Sequence, residues 1–91
     1  MVEQKWIINN GKLILGLVEF HEELHLKSMN KNKTIGGGRW ILYKDINTIC
    51  FYGKSIQYGK VTKEQFDTAI KQRSLKKLKI IFTENDYPIS E

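Results

Sequence analysis

The sequence predicts an α+β domain, an antiparallel sheet with one helix packed on it. Three observations carry that reading. Asn9-Asn10-Gly11 separates two apolar runs and suits the positive φ values of a type I′ hairpin turn. Thr62 and Gln65 make a capping box ahead of Phe66, Ala69 and Ile70 at helical spacing. Leu78, Ile80 and Phe82 alternate with Lys77, Lys79 and Ile81, the period of a half-buried strand. The expected order is a β-hairpin, a long Gly-rich loop, a three-stranded meander, one helix and a final strand.

Each element has its own reason. Trp6-Ile7-Ile8 and Lys12-Leu13-Ile14-Leu15 are the hairpin arms, the second running on through Phe20, with Gly16 marking a bulge or bend. Residues 27–38 are polar, basic and glycine-rich, which reads as a mobile surface loop. Arg39-Trp40-Ile41-Leu42-Tyr43 and Thr48-Ile49-Cys50-Phe51-Tyr52 form antiparallel strands turning at Asp45-Ile46-Asn47. Gly53-Lys54 fits a glycine-first II′ turn into a third strand, Ser55-Ile56-Gln57-Tyr58. The helix is expected over 63–73.

Ninety-one residues make a single domain, 1–91, with 84–91 as a frayed acidic tail. The 41% hydrophobic content and ten aromatic residues belong to a globular chain. No apolar run approaches the length of a membrane span, and the amino terminus lacks a signal-peptide pattern. One cysteine, Cys50, can form neither an internal disulfide nor a cysteine zinc knuckle, and its alternating apolar strand marks it as a buried small side chain. A cytoplasmic protein with no cofactor and no membrane partner is the expectation.

Charge is localised. Fifteen Lys and Arg oppose ten Asp and Glu, a formal +5. Lys71, Arg73, Lys76, Lys77 and Lys79 fall in nine residues that contain no acid, so the rest of the chain nets zero. Such a patch attracts phosphates, although charge runs more often solvate a surface or guard an edge strand. Gly36-Gly37-Gly38-Arg39 is a second anion candidate. Consecutive glycine N–H groups can turn inward as a nest, and Arg39 adds a bidentate donor. A hinge between hairpins is the plainer use of the same glycines.

His21-Glu22-Glu23-Leu24-His25 satisfies H-E-x-x-H. On a helix both imidazoles would share a face and one zinc, with Glu22 as general base and Glu64 as third ligand. Over these five residues the chain resembles the signature of the zincin metalloproteases. The preceding residues read as a strand, however, and on a strand the two histidines stand about 13 Å apart at 3.3 Å per residue. The expectation is therefore strand through Phe20, at most a turn afterwards, and no metal site. Gly53-Lys54-Ser55 imitates the end of a P-loop, but Thr48 stands where the first glycine belongs. Phe51, Tyr52 and Tyr58 could stack bases, yet Cys50-Phe51-Tyr52-Gly53-Lys54 does not match the RNA-binding strand pattern.

Val18-Glu19-Phe20-His21, Gly36-Gly37-Gly38-Arg39-Trp40, Tyr52-Gly53-Lys54-Ser55 and Tyr58-Gly59-Lys60-Val61-Thr62 together resemble small uncharacterised stand-alone proteins of bacteria and their phages. The resemblance covers about the middle half of the chain and brings no activity or residue roles. It implies an inhibitor or sequestering protein of phage–host conflict. The function expected from the residues is a non-enzymatic binding module for an anionic ligand or partner: a nucleotide, a nucleic acid or an acidic protein. The alternatives are a protein–protein inhibitor or a homodimeric assembly subunit, and a minimal zinc hydrolase.

Overall fold

The structure, a computed structural model of the chain, describes residues 3–26, 34–71, 75 and 77–88. These form β1 (Glu3–Asn9), β2 (Lys12–Val18), α1 (His21–Leu26), β3 (Thr34–Tyr43), a 3-10 turn (Lys44–Ile46), β4 (Thr48–Tyr52), α2 (Lys63–Ile70) and β5 (Lys79–Phe82). The strands make one five-stranded sheet in the order β2-β1-β3-β4-β5. The α+β class stands, with α2 as the main helix.

The sheet is mixed, which corrects the antiparallel expectation. β4 and β5 run parallel while the other neighbours are antiparallel. The cause lies in the connection. A helix between two strands lets the chain cross over and re-enter the sheet in the same direction, which a tight turn cannot do.

Local signals held where they were complete. Asn10 and Gly11 take φ values of 53° and 76°, both positive as a type I′ turn requires, and Asn9 pairs with Lys12 across them. Thr62 Oγ1 accepts from the Gln65 N–H while Gln65 Oε1 accepts from the Thr62 N–H, so the capping box is closed. The described helix ends at Ile70; residues 72–74 lie outside the described part.

Other expectations are overturned. Gly36–Gly38 stand inside β3, paired with Ile8, Ile7 and Trp6, rather than in a loop; residues 27–33 of the expected loop lie outside the described residues. No third meander strand forms after β4. Ser55 and Gly59 instead close a tight turn through reciprocal backbone hydrogen bonds of 3.2 and 2.8 Å. Gly16 sits in unbroken β1–β2 register; the irregularity falls between Ile8 and Asn9 on the β3 side. Part of the tail is tied down, since the Gly53 N–H donates to the Asn85 carbonyl at 2.8 Å.

The two helices cover opposite faces of the sheet. Trp6, Ile8, Leu13, Ile49 and Phe51 meet Phe66 and Ala69 of α2. Ile7, Val18 and half-buried Ile14, which alternate with them, meet Leu24 of α1. Phe66 contacts Trp6 edge-on at 5.8 Å and stacks on Phe82 at 4.5 Å between centroids. Burying a side chain of this size stabilises by about 1.5–3 kcal/mol, so α2 is the larger half of the core. Ile81 is buried and Ile80 is 36% exposed, the reverse of the alternation expected for β5, whereas Leu78 and Phe82 do pack on the α2 face.

The glycines of β3 have a packing reason. A Cβ at Gly37 would stand 3.1 Å from the His21 ring, and one at Gly38 would stand 3.0 Å from Trp6 Nε1 and 2.3 Å from the Tyr52 carbonyl. Rings lie directly on the backbone from both faces, and only glycine leaves them room.

Candidate functional site

Arg39 lies at the centre of the sheet, paired with Lys5 of β1 on one side and Tyr52 of β4 on the other. Directly opposed residues point to the same face, so Lys5, Arg39 and Tyr52 form a row across three strands. They share the α1 face, because Ile7, two residues beyond Lys5, packs under Leu24. Phe20 and His21 from the start of α1 and Lys54, Ile56 and Gln57 from the turn after β4 complete the walls. With Lys5 and Arg39 they enclose a cleft of about 270 Å³. Two neighbouring clefts share Arg39. One of about 390 Å³ is lined by Glu3, Gln4, Leu17, Trp40 and Tyr52, the other of about 200 Å³ by Gly53, Lys54, Ile56 and Asp86.

Like charges directly opposed in a sheet are destabilising. Glu3 compensates within the chain, its Oε2 lying 3.8 Å from Lys5 Nζ and 3.4 Å from Arg39. Lys5 is largely buried, donates to the Glu19 carbonyl and sits 5.8 Å above the centre of the Phe20 ring. Arg39 is half exposed, and Lys54 is exposed with no carboxylate partner among the described residues. Burial pushes the Tyr52 phenol up, with Arg39 opposing.

The H-E-x-x-H segment is helical, which corrects the expected strand and turn. β2 stops at Val18, the Glu23 N–H donates to the Phe20 carbonyl, and Glu23 Oε1 accepts from the Phe20 N–H. Leu24 then drops onto Gly16, where a Cβ would stand only 2.6 Å from it, so this glycine is the seat of a helix. His21, Leu24 and His25 follow i, i+3, i+4 spacing toward the sheet. His21 is buried, and its Nε2–H donates to the Gly38 carbonyl at 2.7 Å, which fixes the tautomer. His25 Nδ1 meets Thr34 Oγ1 at 2.6 Å. Asn9 Nδ2 donates to the same oxygen at 2.9 Å, so Thr34 ties His25 to β1. The His25 ring also stacks on Tyr58, centroids 5.2 Å apart.

Each imidazole therefore serves a different residue of β3. Glu64, the expected third ligand, sits exposed on α2, across the sheet from both histidines. Among the described residues no three His, Cys, Asp or Glu side chains converge as a metal site. The Glu22 side chain lies outside what the structure describes.

The sequence-predicted anion residues do not form one patch. Gly36, Gly37 and Gly38 are ladder residues, and the Gly37 N–H is spent on the Gly59 carbonyl at 3.2 Å, so no nest forms. Arg39 is in the cleft. Lys71, Lys77 and Lys79 are exposed, while Arg73 and Lys76 lie outside the described residues. Lys79 pairs with Thr48, four residues along β4 from the Tyr52 that flanks Arg39. That is about 13 Å along the strand at 3.3 Å per residue.

Lys5, Lys54, Phe20 and Ile56 escaped sequence reading because three separate segments contribute them. β1 reads Glu3-Gln4-Lys5-Trp6-Ile7-Ile8-Asn9, and nothing in that pattern singles out Lys5. Among the described residues no helix is long and apolar enough to cross a membrane. No protein-family model and no curated protein matches this chain, so its functional reading rests on the geometry of the Arg39 row.

Proposed function

We propose that the protein is a small non-enzymatic binding module that holds an anionic group of its ligand or partner in the cleft of Lys5, Arg39 and Lys54. One observation supports this reading above the rest. Cations from β1, β3 and the turn after β4 line a single cleft, and among the described residues no acid lines it. Two of them stand directly opposed in the sheet with the Glu3 carboxylate offsetting their repulsion, and Lys54 adds a third cation that has no carboxylate partner among the described residues. A guanidinium beside two ammonium groups gives both a bidentate fork and point charges for a phosphate or carboxylate.

The test is a titration against single-stranded DNA, RNA, nucleotides and polyglutamate at two salt concentrations. Affinity is expected to fall with salt. Arg39→Gln and Lys54→Gln should each weaken binding about tenfold or more, since hydrogen bonds to charged groups contribute about 1.5–3 kcal/mol. Lys77→Gln and Lys79→Gln should leave it nearly unchanged. No anion bound at low salt, or a larger loss from the Lys77 and Lys79 variants, overturns the reading.

A further inference from the structure

We infer that the anion taken by this cleft is a carboxylate on an acidic protein segment, and that an apolar side chain of the same segment packs against Phe20 and Ile56. The inference rests on the binding reading above and names its partner class.

Ile56 is 97% exposed and Phe20 57%, and both line the cleft that holds the three cations. Ile56 is presented rigidly. Ser55 beside it is buried, its Oγ accepts from the Tyr58 N–H at 3.1 Å, and two backbone bonds to Gly59 close the turn. A bulky apolar side chain held in water on a fixed turn costs little further entropy when a partner covers it, the behaviour of an interface anchor.

The chemistry separates protein from nucleic acid. A single strand binds through aromatic faces that stack its bases and through an unbroken basic track for successive phosphates. Here one of the two exposed apolar walls is aliphatic and offers no stacking face. Glu3 and Asp86 line the clefts that adjoin the cation cleft, so a second and third phosphate would meet carboxylates. An acidic peptide can place a single carboxylate between apolar side chains, so that only this one group has to share the cations with Glu3. Glu3 already shows the geometry, one carboxylate oxygen shared by Lys5 and Arg39. The three cations of the cleft, Lys5, Arg39 and Lys54, complement such a partner.

The experiment compares two fluorescent probes of equal length by anisotropy: a peptide alternating glutamate with leucine, and oligothymidylate. Backbone amide NMR shifts follow the same titrations. The peptide is expected to bind more tightly and to shift Phe20, Arg39 and Ile56. Its glutamine counterpart should fail to bind. Ile56→Ser, a substitution at an exposed position, should weaken the peptide about tenfold while leaving oligothymidylate unchanged. Tighter binding of oligothymidylate, or a peptide affinity indifferent to Ile56→Ser, overturns the inference. If that binding still depends on Arg39, the anion-binding reading survives. Failure of both probes to bind at low salt removes both.

Discussion

Trp6 and Trp40 are bonded crosswise through each other's strand. The Trp6 indole N–H donates to the Arg39 carbonyl at 2.8 Å, and the Trp40 indole N–H donates to the Lys5 carbonyl at 3.1 Å. Those carbonyls belong to the residue pair whose side chains open the cation cleft on the other face. The tryptophans thus hold from behind the register that sets Lys5 beside Arg39. A one-residue slip of β3 would send Arg39 to the α2 face, away from Lys5.

Gly38 is where this arrangement is most easily broken. In Gly38→Ala the new methyl would meet the Tyr52 carbonyl and the Trp6 ring, which β4 and the core hold in place. Overpacking of this kind costs roughly 1–3 kcal/mol. Gly59→Ala is the comparison, because Gly59 has φ of +86° but no atom within 4 Å of the added carbon, leaving only the backbone term of about 1–2 kcal/mol. Urea unfolding should show Gly38→Ala losing stability together with the native tryptophan fluorescence, and Gly59→Ala losing stability alone. An unshifted midpoint for Gly38→Ala would show that β3 does not need its glycine.

The capping box of α2 makes a separate, smaller prediction. Thr62→Ala removes the acceptor of the Gln65 N–H at the helix start, exposed to water. The expected loss is about 1 kcal/mol. Thr62→Ser should keep most of it, since serine offers the same oxygen. Equal midpoints for Thr62→Ala and the wild type would count against the cap.

Stability should also depend on pH through His21. Burial holds its imidazole below the ordinary value of 6.5; the Gly38 carbonyl opposes this, while Lys5 and Arg39 add to it and Glu3 opposes. Between the lowered native value and 6.5 the unfolded chain binds a proton that the native chain does not, so stability rises with pH. The contribution is complete above 6.5 and is lost as pH falls through the native value. Urea midpoints from neutral to mildly acid pH should decline in the wild type and decline less in His21→Gln, whose amide can still donate to Gly38. Identical slopes would remove His21 from the account.

How far this molecule could be read from its sequence depends on the range of each signal. The Asn10-Gly11 turn and the Thr62–Gln65 box are complete within four residues, and both were legible. The triple glycine was not, because a glycine run that lets two rings lie on a strand has the same letters as a loop. Helix α1 was hidden for a related reason. Its apolar anchor, Leu24, needs the space above Gly16, and that glycine read as a bulge. The parallel β4–β5 pair follows from the crossover through α2, a consequence of topology rather than of any strand pattern. In the cleft only Arg39 was found, since Lys5 and Lys54 join it through strand register and a turn that no local spacing encodes.

Glu3 supplies the last prediction. Its carboxylate occupies part of the field of Lys5 and Arg39, so an incoming anion must displace it or share the cations with it. Glu3→Gln keeps the shape, removes the competing charge and adds one to the net positive field. The pair is only partly buried, so the effect on folding should stay within about 1 kcal/mol, the range of surface ion pairs. Anion binding should respond in the opposite direction. Affinity for the acidic peptide, or for inorganic phosphate, is expected to rise several-fold at low salt, and the gain should shrink as added salt screens the site. Calorimetric titration of both proteins at two ionic strengths checks this. Weaker binding by Glu3→Gln would mean that the carboxylate positions the cations for the ligand, and the competitive role argued for it would fall.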